Sequence, residues 1–104
     1  IDIRQAPGKF YFLKFTNDDT GFVFYKVGIT KEKRWQRRFG RGQYSGYDIE
    51  PIHIFEATYL ECSRIESIAL NALYDLSIKD LLPEDFSGRG ECFKYSEETY
   101  ERVF

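Results

Sequence analysis

Between residues 10 and 28 the chain carries two aromatic and β-branched runs, FYFLKFT and FVFYKVG, separated by the polar, turn-forming stretch NDDTG. Such runs predict strands, and the linker predicts that they close as a hairpin. With the turn centred on Asp18-Asp19, Tyr11 stands opposite Lys26, Leu13 opposite Phe24 and Phe15 opposite Phe22, all on one face because side chains alternate. The pattern then changes. Thr30 predicts the N-cap of a short helix over about 31–39, with Glu32 near its positive end and Trp35 and Phe39 as a core-facing pair four apart. Gly40, Gly42, Ser45 and Gly46 break regular structure and predict a loop carrying Arg41, Gln43, Tyr44 and Tyr47. Pro51 marks the start or edge of a third strand with Ile52, Ile54 and Ala57 inward and His53 and Phe55 on the opposite face. From about 60 to 75, Ile65, Ile68, Ala69, Ala72 and Leu73 follow helical spacing and predict the core stripe, with Glu66 one step off it at the border with solvent. Ser87-Gly88-Arg89-Gly90 reads as a turn into a short strand, Glu91 to Tyr95, and Ser96 caps a last helix.

The order β, β, α, β, α, β, α predicts a small α/β (α+β) unit: a central mixed or antiparallel sheet, begun by the hairpin and flanked by helices. At 104 residues the whole chain, 1–104, makes one domain and leaves no material for a second core. Ten Phe and eight Tyr mean that rings fill much of the interior. The net charge of −2 exerts no global pull on nucleic acid, so any such binding must come from local segregation. That segregation is present: Lys31, Lys33, Arg34, Arg37, Arg38 and Arg41 crowd into eleven positions against the single acid Glu32. Two isolated cysteines, Cys62 and Cys92, suggest packed thiols rather than a disulfide or a zinc site. No apolar run has the length of a membrane span or signal core, which leads us to expect a soluble, intracellular protein. An initial Ile1 and the lack of Met suggest a fragment of a longer polypeptide.

These segments together resemble the GIY-YIG nuclease superfamily, in which a hairpin bears two signature tripeptides, the next helix an Arg and a later helix a Glu. Phe10-Tyr11 is similar to the end of the first tripeptide, with Lys9 in place of its Gly. Lys26-Val27-Gly28 is similar to the second, with Lys in place of Tyr, a variation like that of phage-associated and restriction members. Lys33-Arg34-Trp35-Gln36-Arg37-Arg38-Phe39 is the closest match, and Arg64-Ile65-Glu66-Ser67-Ile68 matches the segment with the metal-binding Glu. The family's late Asn has no clear counterpart, Glu91 being the nearest polar residue. The likeness spans about residues 9–95.

The resemblance implies a metal-dependent DNA endonuclease or nickase with Tyr11, Lys26, Arg34 and Glu66 as its catalytic set. Phosphodiester hydrolysis needs an activated oxygen nucleophile, stabilisation of charge on the phosphate and help for the leaving oxygen. A lone carboxylate, Glu66, suits a single Mg²⁺ or Mn²⁺ that keeps much of its hydration. Arg34 would clamp the phosphate with its planar fork. A phenol such as Tyr11 is a poor base near neutrality unless a positive charge favours its anion. Lys26 would either supply that charge or act as the base itself, and the sequence leaves both open. Lys31, Arg37, Arg38, Arg41 and Tyr44 read as contacts to the DNA backbone, which give affinity but little sequence information. A separate recognition domain or a homodimer would then choose the site, in a phage or mobile-element setting within a bacterial host. The competing reading is a catalytically inactive nucleic-acid-binding module of the same fold.

Overall fold

The computed structural model describes residues 5–39 and 44–104; Gly40, Arg41, Gly42 and Gln43 fall outside them, as does the side chain of Arg38. Strands β1 (Pro7–Asn17), β2 (Val23–Thr30), β3 (Tyr47–Thr58) and β4 (Cys92–Lys94) form one sheet in the order β3-β1-β2-β4, and every neighbouring pair is antiparallel. Two α-helices, α1 (Tyr59–Leu73) and α2 (Glu97–Val103), complete the regular structure with four short 3-10 segments among the described residues. The mixed α+β class expected from the pattern is what forms, with a purely antiparallel sheet.

The central position of β1 and β2 explains their nearly continuous apolar runs, because a strand covered on both faces has no wet side to alternate with. On one face Tyr11, Leu13, Phe15 and Phe24 pack with Phe39, Ile78, Leu82, Phe86 and Cys92. On the other, Phe10, Phe12, Tyr25, Val27 and Phe93 pack with Cys62, Ala69 and Leu73 of α1, flanked by Tyr100 and Val103 of α2. Both α-helices therefore cover one face, while 3-10 turns and irregular chain cover the other. Each fully buried Phe stabilises the fold by roughly 1.5–3 kcal/mol.

The hairpin forms in a register two residues away from the one expected. Tyr11 pairs with Gly28, Leu13 with Lys26 and Phe15 with Phe24. The cause lies in the turn. The Asn17 side-chain oxygen accepts from the backbone N–H of both Asp19 and Thr20, at 2.9 Å each, and Gly21 adopts φ +75°. This Asx-type turn moves the centre of the hairpin to Asp19-Thr20. A shift of two keeps each side chain on its expected face, whereas a shift of one would have inverted them all.

The segment after β2 is shorter than expected: Thr30 Oγ1 accepts from Glu32 N at 3.1 Å, but only Trp35–Phe39 is helical, and as a 3-10 helix. Strand β3 is longer than expected and has Pro51 on its outer edge, where a missing N–H costs nothing. Its register against β1 shifts beside Phe12 and Leu13, with Phe12 opposite His53 and Leu13 opposite Pro51. Ile52 is the extra residue of this bulge, so it packs with the α1 side while Ile54 packs on the Tyr11 side. The expected sharing of one face by Ile52 and Ile54 fails for that reason.

Helix α1 is capped by Thr58, whose hydroxyl accepts from Glu61 N at 3.2 Å. Its inward stripe differs from the expected one: Cys62, Ala69 and Leu73 are buried, whereas Ile65 and Ile68 are exposed, Ile68 at 70 %. Ala69 and Leu73 of the expected stripe do face inward, and Cys62 takes the place expected of Ile65 and Ile68. Ser96 caps α2 as expected, accepting from Thr99 N at 3.2 Å. Cys62 and Cys92 are buried free thiols.

Candidate active site

The Tyr11 side of the sheet is built around two glycines. Tyr11 is 1 % exposed and its ring crosses onto β2 above Gly28. A Cβ at Gly28 would lie 2.6 Å from Tyr11 Cε1 and closer still to Cζ and Oη, so only glycine permits this placement. Lys26 is two residues along β2 and points to the same face, making it a diagonal neighbour of Tyr11. Only 2 % exposed, Lys26 donates through Nζ to Glu91 Oε1 at 3.1 Å. Gly88, at φ +76°, passes directly over this pair; a Cβ there would meet Lys26 Nζ at 2.5 Å and Glu91 Oε1 at 2.8 Å.

Arg34 precedes the 3-10 helix Trp35–Phe39 and is exposed with Lys31, Lys33 and Arg37. Phe39 anchors this segment to the site, its ring edge-on to Tyr11 with centroids 5.5 Å apart, and Trp35 packs on Phe39 at 6.3 Å. Lys31, Glu32, Lys33, Arg34 and Arg37 line an open cleft of about 460 Å³, four cations to one acid. Tyr44 is drawn into the packing instead: it lies edge-on to Phe39 at 4.9 Å and donates its hydroxyl to Ser87 O at 3.0 Å. Arg41 and the Arg38 side chain, both expected at this surface, lie outside the described residues.

Glu66 is half-buried on α1, and at helical spacing it falls in line with Cys62, Ala69 and Leu73 rather than beside the stripe. Those three residues pack on the sheet face opposite Tyr11. The start of α1 is tied to the end of the sheet from which the basic segment leaves. Tyr59 N donates to Ala6 O at 2.7 Å, and Lys31 Nζ lies over the Tyr59 ring, 5.0 Å from its centroid. The fold thus gathers Tyr11, Lys26 and the Arg34 segment on one side, with α1 approaching from the other and meeting the basic segment at Tyr59.

Glu91 is the residue the fold brings to Lys26. A lysine inside an apolar strand needs a counter-charge, and an acid beside a glycine turn near the chain's end is what supplies it here. His53, expected as an ordinary strand residue, is packed: Nε2 is 2.9 Å from Tyr100 Oη, and its ring is tilted against Phe104 at 4.2 Å. Next to Lys26, burial pushes the Cys92 thiol up to about 12, the Lys26 charge opposing and Glu91 reinforcing the shift. Among the described residues, no three His, Cys, Asp or Glu side chains gather as a metal-binding group.

No protein-family model, no curated protein and no solved structure matches this chain. Among the described residues, no helix is long and apolar enough to cross a membrane.

Proposed function

We propose that the domain is a divalent-metal-dependent endonuclease or nickase acting on DNA, of the GIY-YIG kind its ordered motifs resemble. The observation that carries this reading is the four-cation cleft at Arg34, anchored through Phe39 to the face that holds a buried phenol and a buried ammonium. A cleft of this charge holds a phosphate backbone, and its exposed guanidinium groups offer the bidentate geometry that phosphate oxygens accept.

Within this reading Arg34 clamps the scissile phosphate, while Lys31 and Arg37 continue the track along the backbone. Glu66 would hold a single Mg²⁺ or Mn²⁺, which when bound polarises the phosphate and stabilises charge on it. The Glu91 carboxylate beside Lys26 Nζ supports the reading in which Lys26 supplies positive charge and Tyr11 is the base. Tyr11, as its phenolate, would then take the proton from the nucleophile, a nearby Lys26 charge favouring that anion where little water screens it.

The deep burial of Tyr11 and Lys26 favours one competitor, a module that binds nucleic acid through the same cleft without cutting it. Incubation with supercoiled plasmid and Mg²⁺ or Mn²⁺ separates the two. The wild type is expected to nick or linearise the plasmid, and Arg34→Ala and Glu66→Ala to lose at least about 100-fold in rate, the order seen when one charge-stabilising group is removed. Identical behaviour of all three proteins removes the catalytic reading. Salt-dependent binding without cleavage establishes the competitor.

A further inference from the structure

The sheet face away from Tyr11 carries a second cleft, of about 420 Å³, lined by Tyr25, Tyr95, Ser96, Glu97, Tyr100 and Glu101. Tyr25 contributes from β2 and the rest from α2 and the two residues before it. Tyr25 is 8 % exposed, and its ring centroid is 5.1 Å from that of Tyr95. Among the described residues no protein group partners its hydroxyl, yet that oxygen is not one of the sealed, unsatisfied atoms of the interior, so it opens into the cleft. Burial, with Tyr95 and Tyr100 adding to it, pushes the Tyr25 phenol up and keeps it neutral.

The charge at the rim selects the ligand. Arg102 engages Glu98 and Asp75, whereas neither Glu97 nor Glu101 carries an ion pair among the described residues. One ring of the cleft already receives a cation from within the chain: Lys14 Nζ lies over Tyr95, 5.1 Å from its centroid. Electron-rich ring faces with free carboxylates beside them attract a cation large and weakly hydrated enough to shed its water. We propose that this cleft is a binding site for an alkylated ammonium group, held by Tyr25, Tyr95 and Tyr100 with Glu97 and Glu101 supplying the counter-charge. The site is independent of the basic cleft and of any nuclease activity.

Titration of the isotope-labelled domain with choline, monitored by the ring resonances of the three tyrosines, tests it against the tert-butyl analogue in which carbon replaces the quaternary nitrogen. Choline is expected to bind roughly tenfold tighter than this neutral isostere, the gain of one to two cation–π contacts. Glu97→Gln with Glu101→Gln, a conservative pair on the surface, is expected to remove most of that preference, and Tyr95→Ala to remove binding. A peptide bearing trimethyl-lysine, run beside its unmodified form, identifies the source: tighter binding than choline assigns the ammonium to a protein side chain, and weaker binding to a free quaternary amine, both upholding the cation site. Equal affinity for choline and its isostere, shifts remote from the three rings, or no saturation by any probe overturns the proposal.

Discussion

Lys26 is 2 % exposed and its Nζ is engaged by the Glu91 carboxylate, and the two partners are not equivalent. The Glu91 side chain is 34 % exposed and can return to water if Lys26 is lost, but Lys26 has no such route. Glu91→Ala is therefore expected to destabilise the domain by about 3 kcal/mol, within the range for stranding a buried charge, and Lys26→Met by less than half of that. Urea denaturation of both variants checks the asymmetry; equal losses would mean that the pair contributes little. Gly28→Ala acts through packing instead. Its methyl group falls inside contact distance of a ring that has nowhere to move, so a loss of about 2–3 kcal/mol is expected, together with loss of any activity that depends on Tyr11. Cys92 adds a pH dependence. Its thiol is held up to about 12 in the folded state, so above about pH 9 the unfolded chain ionises where the native one does not. Stability attributable to this residue is complete below the unfolded value and falls as pH rises from there towards the folded one, with a slope of up to about 1.4 kcal/mol per pH unit. Cys92→Ala should flatten that slope in alkaline melts, and an unchanged slope would assign the loss elsewhere.

At the scale of elements, legibility in the sequence followed the strength of the local signal. The hairpin, the third strand and the Ser96-capped helix were readable because aromatic runs, glycines and a capping hydroxyl act within a few residues of where they stand. The register was not, because it depends on Asn17 folding its own side chain over the turn. Neither was the Ile52 bulge, which only the pairing partner reveals. Helix α1 turns a side inward that is less apolar than its neighbour. Ile65 and Ile68 outweigh Cys62 on any hydropathy count, yet the helix lies on a sheet already crowded with Phe10, Phe12 and Phe93. Small residues let it approach, so bulk was a misleading guide to the inward side. Leu73→Ala is accordingly expected to cost 2–5 kcal/mol (roughly the usual core range), and Ile68→Lys to stay within about 0.5 kcal/mol of wild type. A comparable loss at the two positions in urea melts would return Ile68 to the inward stripe. Of the candidate site, the individual residue types were legible, but the Glu91 partner of Lys26 and the glycines over Tyr11 and Lys26 were not, since they meet only in three dimensions.

For the molecule as a whole, the two sheet faces differ in what covers them. Helices seal one face, and the other is closed by 3-10 turns and irregular chain. Irregular segments of this kind carry function on many folds because a rigid sheet can position them. The basic segment at Arg34 belongs to this second face, so the net charge of −2 hides a strongly asymmetric molecule. Charge reversal at Arg37, an exposed residue, is expected to weaken DNA binding and lower the salt slope by about one. In the proposed reading Tyr11, Lys26, Arg34 and Glu66 serve one phosphate and one ion, although α1 covers the face opposite Tyr11. Paramagnetic broadening of the side-chain resonances by substoichiometric Mn²⁺ tests this most directly. Broadening centred on Glu66 that extends to Tyr11 and the Arg34 guanidinium, and vanishes in Glu66→Gln, is the predicted result; broadening that leaves Tyr11 and Arg34 untouched would contradict it.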